Sequence, residues 1–97
     1  MGCKLILAPQ AVARLAGIIR SIAKDKPDAA LRFGIHLIEH TQLLENFPDL
    51  GAPYRKRPNV RRLWCKPCFI YYRVKRQEGV VEVMDYWHSA RQEPEFL

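Results

Sequence analysis

The stretch FIYYRVKRQEGVVEVMDYW, Phe69–Trp87, decides the predicted fold of this chain. It holds two apolar runs, FIYYRVKR and VVEVMDYW, separated by QEG, whose Gly79 can adopt the positive φ that tight hairpin turns need. Residues of the first run alternate between two sets, which is the period of a β-strand. One set is Ile70, Tyr72 and Val74, and the other is Tyr71, Arg73 and Lys75. The stretch therefore predicts an antiparallel β-hairpin.

The second strand of this hairpin breaks the alternation. Val81 and Val83 share one face, and a regular strand would place Asp85 beside them. One extra residue in the strand would turn the carboxylate to the other face. We therefore predict a β-bulge near Met84.

The residues before the hairpin predict a further antiparallel strand. NVRRLWC, Asn59–Cys65, has the composition of a strand, and CKP connects it to the hairpin. Upstream, NFPDLGAP, Asn46–Pro53, contains two prolines and a glycine and predicts a turn. The three C-terminal strands are expected to form a meander.

The N-terminal half predicts one strand and two helices. The apolar run KLILA, Lys4–Ala8, ends at Pro9, which suits the first turn of a helix because its missing N–H is not needed there. Apolar residues then recur at three- and four-residue steps from Pro9 to Lys24. Pro27 restarts the pattern as a second helix that runs to about Phe47.

The second predicted helix carries two apolar stripes. One stripe is Ala30, Phe33, Leu37, Leu44 and Phe47, and the other is Leu31, Ile35 and Ile38. A helix that is apolar on two sides is expected to lie between two partners, here the first helix and the sheet. The predicted fold is one α+β domain, residues 1–97, of order β-α-α-β-β-β. The helical hairpin packs on one face of a twisted antiparallel sheet, and arginines and lysines occupy the other face.

Positive charge is concentrated in one segment. The net charge is +6 and the pI about 9.6, a balance that attracts nucleic acid, anionic membranes or acidic proteins. Between Leu50 and Gln77 there is no acidic residue, but nine of the sixteen basic residues fall there. We call these nine the basic strip: Arg55, Lys56, Arg57, Arg61, Arg62, Lys66, Arg73, Lys75 and Arg76. A solvated face is one interpretation. We expect the other, an uncompensated surface that binds an acidic or polyanionic partner.

The sequence predicts a cytoplasmic protein. MGCKLILAPQ has too short an apolar run for a signal peptide, and no stretch approaches the roughly 20 apolar residues of a membrane span. The three cysteines are then expected to be reduced thiols.

Two motifs have the spacing of metal or redox sites. HLIEH, His36–His40, matches a zinc-protease pattern, but a catalytic site needs a third ligand and a cleft. CKPC, Cys65–Cys68, lies between two predicted strands and not at a helix N-terminus, so it indicates a turn with structural thiols. A zinc site there would need two further ligands, for which only Cys3 and the histidines are available. We predict no metal and no cofactor, and leave a reversible disulfide under oxidation open.

The chain resembles the RelE/ParE superfamily of bacterial type II toxin–antitoxin toxins. The resemblance covers nearly the whole length: the helical hairpin, the FPDLG turn, the strand with Arg61 and Arg62, the FIYYRV strand and the ending VVEVMDYWHSAR. An apolar strand that closes on His88-x-x-Arg91 is the most recognisable mark. The resemblance implies a fold like that of microbial ribonucleases and a toxin, such as a plasmid stabilisation protein, that an antitoxin masks.

The resemblance leaves two activities open. RelE-like members cut mRNA in the ribosomal A site, and ParE-like members inhibit DNA gyrase. RNA cleavage needs a base, an acid and cations around the phosphate. In this chain Phe69 stands where RelE-like toxins have a strand arginine, and the tail QEPEFL offers no Tyr or His. The residues left for a nuclease site are Arg62, Arg73, His88 and Arg91.

The ParE-like interpretation is the one that we favour, with the endoribonuclease as the alternative. Under this interpretation the toxin performs no chemistry of its own. Its cationic side chains are expected to contact gyrase or the acidic C-terminal segment of an antitoxin. These side chains are Arg55, Lys56, Arg57, Arg61, Arg62, Lys75 and Arg76. His88 and Arg91 would then hold the chain where it leaves the sheet, with Arg91 paired to backbone carbonyls or to Asp85.

Overall fold

The structure is a computed structural model that describes residues 2–89. Within these residues two helices follow a short first strand, and four further strands come after the helices. The strands are β1 (Lys4–Leu7), β2 (Ala52–Pro53), β3 (Val60–Cys65), β4 (Cys68–Lys75) and β5 (Val80–His88). The helices are α1 (Pro9–Ala23) and α2 (Pro27–Leu43). A 3-10 turn, Arg76–Glu78, leads into Gly79, whose φ of 64° is the positive value expected for the hairpin.

The sheet has the order β1-β5-β4-β3-β2. The predicted meander of β3, β4 and β5 is confirmed. Strand β1 lies parallel to β5 at one edge of the sheet, and the two helices connect β1 to the remaining strands. The opposite edge is the two-residue strand β2, within the segment predicted as a turn, which pairs with Arg61 and Arg62. An edge position tolerates Pro53 because a proline cannot donate to a neighbouring strand. The predicted α+β class is confirmed.

The predicted bulge lies where the sequence indicated. Tyr71 pairs with Asp85 and Tyr72 pairs with Val83, so that Met84 is the extra residue of β5. The shift places Val83 and Tyr86 together in the core between sheet and helices, although they are three residues apart. Without the bulge, regular alternation would direct Val83 and Tyr86 to opposite faces of the sheet.

The helix-side core consists of apolar side chains from every layer. Five of its side chains are 0% exposed: Ala11, Leu37, Leu44, Ile70 and Tyr86. Partly buried apolar side chains of the strands and helices pack against this cluster. Thr41 joins the two layers, since its hydroxyl donates to the Leu37 carbonyl at 2.8 Å and lies 2.9 Å from the Tyr86 hydroxyl. Thr41 thus connects α2 to β5 within the core.

Helix α2 contacts both α1 and the sheet, but the prediction that its two apolar stripes face these two partners is wrong for the second stripe. Leu31, Ile35 and Ile38 are 65%, 50% and 45% exposed. The close approach of α1 occurs at Gly34, where an added Cβ would lie 3.1 Å from Ile19. Helix α1 and the sheet thus cover neighbouring parts of one side of α2, and the second stripe points away from both. Phe47, which lies beyond the end of α2, is also exposed rather than part of the first stripe.

A hydrogen-bonded tyrosine joins the turn before β2 to the sheet. The backbone N–H of Gly51 donates to the Tyr72 hydroxyl at 2.8 Å, and this hydroxyl donates to the Pro48 carbonyl at 2.8 Å. Position 51 needs a glycine, because a Cβ there would clash with the carbonyl oxygen of Arg62 at 2.8 Å. Burial raises the pKa of Tyr72, so the hydroxyl stays neutral and keeps its proton to donate. These contacts position the edge at which much of the basic strip lies.

Neither helix in the described part of the chain has the length and hydropathy needed to cross a membrane.

Candidate partner-binding surface

The face of the sheet that points away from the helices is aromatic as well as basic. Tyr54, Val60 and Tyr71 form a second buried cluster, and Phe69, Met84 and Trp87 pack against it. Tyr54 and Tyr71 meet edge to face, with ring centroids 5.3 Å apart. The sequence predicted basic side chains on this face but not the aromatic layer beneath them.

Arg62 lies on top of this aromatic layer. Its Cζ is 4.3 Å from the centroid of the Phe69 ring and 5.4 Å from that of Tyr54. Stacking on two rings holds the guanidinium in place by cation–π attraction, worth roughly 0.5–2 kcal/mol. Phe69 itself packs on Trp64, whose side chain is 49% exposed. Phe69 therefore supports the guanidinium of Arg62.

Arg62 shares a depression of about 320 Å³ with Arg55 and Lys56. Arg55 and Lys56 are exposed residues of the loop between β2 and β3, the loop that also carries Arg57. We call Arg55, Lys56 and Arg62 the cationic edge. The loop begins at Tyr54, whose N–H donates to the Val60 carbonyl at 2.8 Å. The structure thus brings these three members of the basic strip together around one concave surface.

Two other members of the basic strip are bound to a carboxylate of the same chain. Arg61 donates to the Gly51 carbonyl at 2.6 Å and lies 3.4 Å from an oxygen of Asp49. Arg76 also forms an ion pair with Asp49. Asp49 immediately precedes the acid-free segment, so the sequence did not show that it would neutralise part of the strip.

Glu82 neutralises a further part of the strip on the outer face. Its carboxylate accepts a hydrogen bond from Arg73 at 2.7 Å and lies 3.7 Å from the Lys75 ammonium. The hydrogen bond from Arg73 is the largest cause of the lowered Glu82 pKa; partial burial opposes it, and the positive charges of Arg73 and Lys75 lower the pKa further. The expectation of one uncompensated face is therefore wrong. Arg61 shares the helix side with Tyr72, and four of the nine cations are paired with Asp49 or Glu82.

A positive excess remains nevertheless. Residues 50–77 hold nine basic side chains and no acidic one, and the whole chain has a net charge of +6. Arg55, Lys56 and Arg57 of this segment lie together in the loop between β2 and β3.

The residues predicted for a nuclease site do not converge in the described part of the chain. Arg62 shares a face with Tyr71, and Arg73 belongs to the same face. His88 pairs with Cys68, a member of the helix-side core, whereas its neighbour Trp87 pairs with Phe69 on the outer face. Alternation along β5 thus directs His88 to the other side of the sheet. Arg91 lies outside the described residues.

Sequence reasoning missed the partners of Asp85. This carboxylate is fully buried and accepts hydrogen bonds from Gln10 at 2.9 Å, from Arg14 at 3.2 Å and from the Tyr86 N–H at 2.9 Å. The Arg14 guanidinium also lies 4.4 Å from the centroid of the Trp87 ring. A carboxylate in an apolar strand signals the need for a partner. Nothing in the sequence shows that this partner is on α1, about seventy residues away.

Solved structures with the same fold come from toxin–antitoxin systems. A chain of the chromosomal ParDE system of P. aeruginosa superposes with a TM-score of 0.78 at 22% identity, covering 89% of this chain and 95% of that one. A chain of the toxin–antitoxin complex RelBE2 of Mycobacterium tuberculosis superposes with a TM-score of 0.66 at 16% identity, covering 91% and 99%. At such identities the likeness shows the fold: a small α+β domain of the kind that both systems contain.

The family follows from a sequence comparison. The family model described as ParE toxin of type II toxin-antitoxin system, parDE, matches residues 5–93. The chain therefore belongs to the ParE toxin family of type II toxin–antitoxin systems. No curated protein matches it in sequence.

Proposed function

We propose that this ParE-family toxin acts by binding DNA gyrase and performs no chemistry of its own. The observation that carries the proposal is the separation of the nuclease candidates, with His88 directed to one side of the sheet and Arg62 and Arg73 to the other. General acid–base cleavage needs these groups within hydrogen-bond reach of one phosphate. Arg73 is moreover engaged with Glu82, and Arg62 with two aromatic rings.

The cationic edge is the surface that we propose for the target. Arg55, Lys56 and Arg62 line one depression, and the aromatic rings beneath Arg62 give it a rigid base. A fixed guanidinium forms contacts with little loss of side-chain entropy, as binding surfaces built on aromatic anchors do. Such a surface suits an acidic patch of a protein, or DNA held by gyrase.

The test of the target uses two assays in parallel. Purified toxin is added to a gyrase supercoiling assay and to a translation mix in which mRNA cuts are mapped. Inhibited supercoiling with intact mRNA supports the proposal. Codon-phased cuts that disappear in His88→Ala or Arg62→Ala would instead support the alternative, a RelE-like ribosome-dependent endoribonuclease, which has a structural neighbour in RelBE2.

We further propose that an antitoxin neutralises the toxin through an acidic segment that folds on binding. Two features support this. Leu31, Ile35 and Ile38 form an exposed apolar stripe on α2 that fits an amphipathic segment. The positive excess of the basic strip would attract the acidic residues of that segment. Both structural neighbours belong to systems or complexes that pair a toxin with an antitoxin.

Electrostatic attraction makes this association dependent on salt. We expect the affinity for the antitoxin to fall steeply between low and physiological ionic strength, since exposed charges are screened over about 10 Å at 0.1 M salt. Calorimetry or surface-based binding at several salt concentrations measures the slope. An affinity that does not change with salt would contradict the electrostatic part of the proposal.

A further inference from the structure

Three side chains that are distant in sequence meet beside the helix-side core. His36 and His40 belong to α2, and Cys65 is the last residue of β3. One ring nitrogen of each histidine and the cysteine Sγ all lie within 4.8 Å of one another. These are donor atoms that zinc and related cations prefer.

The helix places the two histidine rings side by side, where both could bind one ion. At positions i and i+4 they occupy the same helix face, and their ring centroids are 4.3 Å apart. His40 Nδ1 lies 3.1 Å from the His36 carbonyl oxygen. Because a carbonyl only accepts, Nδ1 must carry the proton, which leaves the lone pair on Nε2. A ring N–H bonded to a backbone carbonyl is the usual way in which proteins orient a metal-binding histidine.

The Cys65 Sγ is the donor atom that the sheet contributes to the cluster. Cys65 is buried, His40 is half-buried and His36 is exposed, so the group runs from the core to the surface. A cation can therefore enter from solvent and meet the sulfur last. Cys68, the partner of Cys65 across the β3–β4 hairpin, is fully buried and does not belong to the cluster. Water is left to fill a fourth position on the open side.

We propose that His36, His40 and Cys65 bind a divalent cation of the zinc type. Two imidazoles and one thiolate with an open fourth position match the ligand number and softness of a tetrahedral zinc site. Bonds of about 2.0–2.3 Å in a tetrahedron place donor atoms roughly 3.3–3.8 Å apart. The most distant pair of donor atoms must therefore approach by about 1 Å, a shift of the size that small rotations of the histidine side chains produce. A coordinating thiol is deprotonated by the metal itself.

Such an ion would connect α2 directly to the end of β3. It would also give a role to the meeting of HLIEH with Cys65 of CKPC, neither of which belongs to the cationic edge. The zinc-protease pattern supplies only the two histidines here, and Glu39 is not part of the cluster.

The experiment titrates the reduced full-length protein with Co²⁺ and then displaces Co²⁺ with Zn²⁺. We expect one equivalent of Co²⁺ to give visible tetrahedral bands and a thiolate-to-metal charge-transfer band, and Zn²⁺ to raise the melting temperature. His36→Gln and His40→Gln should each weaken Zn²⁺ binding by more than the roughly 10–100-fold loss that follows removal of an outer-shell partner. Cys65→Ser should abolish the charge-transfer band.

Matched variants decide the outcome. Cys3→Ser removes a thiol and His88→Gln removes an imidazole outside the cluster, and both should bind Zn²⁺ like the wild type. His36 is exposed, so His36→Gln should fold normally by circular dichroism and decides the matter if Cys65→Ser does not fold. Absence of cobalt binding by the wild-type protein, or a spectrum that His36→Gln leaves unchanged, would overturn the proposal.

Discussion

The buried carboxylate of Asp85 offers the sharpest test of the packing described above. Arg14→Met removes the one cation within reach of this carboxylate in the described part of the chain, while the methionine keeps most of the apolar side chain. Gln10 and the Tyr86 N–H would still donate to Asp85. The variant would therefore leave a hydrogen-bonded but uncompensated charge in a site that is 0% exposed.

The size of the effect follows from the exposure of the two partners. Breaking a fully buried ion pair costs about 3–5 kcal/mol, because the remaining charge is not compensated. The Arg14 side chain is 33% exposed, so solvent already screens part of the attraction. Loss of its cation–π contact with Trp87 adds a smaller amount. We expect a loss of about 2–3 kcal/mol in the free energy of unfolding, or roughly 10–20 °C in melting temperature for a domain of this size.

Urea unfolding followed by tryptophan fluorescence measures this loss directly. Arg20→Met is the matched control, since Arg20 is an exposed residue of the same helix, and it should change stability by less than about 0.5 kcal/mol. A loss below about 0.5 kcal/mol in Arg14→Met would show that the arginine does not compensate Asp85 and would refute the reasoning.

Three further predictions concern other parts of the molecule. Tyr72→Phe should lower the free energy of unfolding by about 1–3 kcal/mol, because the buried Gly51 N–H loses its acceptor, as urea unfolding would show. Glu82 has a lowered pKa, so its ion pairs should stabilise the fold fully above pH 4.5, its ordinary pKa, and this part of the stability should disappear as pH falls through the folded-state pKa. Glu82→Gln should flatten that part of the pH–stability profile. Leu31→Gln/Ile35→Gln should weaken antitoxin binding at least about tenfold without destabilising the fold, since both residues are exposed.

Controls and contrary outcomes for these predictions are available within the chain. Glu78→Gln changes an exposed carboxylate near the same hairpin and should leave the acid limb of the profile unchanged. Val12→Gln removes an apolar residue that is 52% exposed on α1 and should leave antitoxin affinity near that of the wild type. A Tyr72→Phe protein as stable as the wild type would contradict the account of the turn before β2. Equal losses in Val12→Gln and the double variant would show that the stripe is not the docking site.

The features that the sequence predicted well are those that neighbouring residues determine. The β4–β5 hairpin followed from alternation and from Gly79, and the bulge followed from the conflict between Val83 and Asp85. The α1 helix began at Pro9 as expected. In each case the physical signal lies within a few residues of the feature itself.

The features that the sequence did not predict depend on contacts between distant segments. Asp49 and Glu82 lie just outside the acid-free segment, but only the fold brings them to Arg61 and Arg73. Two apolar stripes on α2 indicated two partners, yet a stripe that is exposed has the same apolar composition as one that is buried inside the chain. The contact between Arg14 and Asp85 joins α1 to β5 and had no local signal.

The measurement that tests the central claim most directly is gyrase supercoiling inhibition by a toxin with a reversed cationic edge. Arg55→Glu/Lys56→Glu is compared with Arg20→Glu/Lys24→Glu, a reversal of the same size at exposed positions of α1 and its end. If the cationic edge binds the target, the first variant should need at least about tenfold more toxin for half inhibition, because like charges would then oppose each other. The α1 variant should inhibit like the wild type. Equal inhibition by both variants and the wild type, or no inhibition by any of them, would contradict the claim.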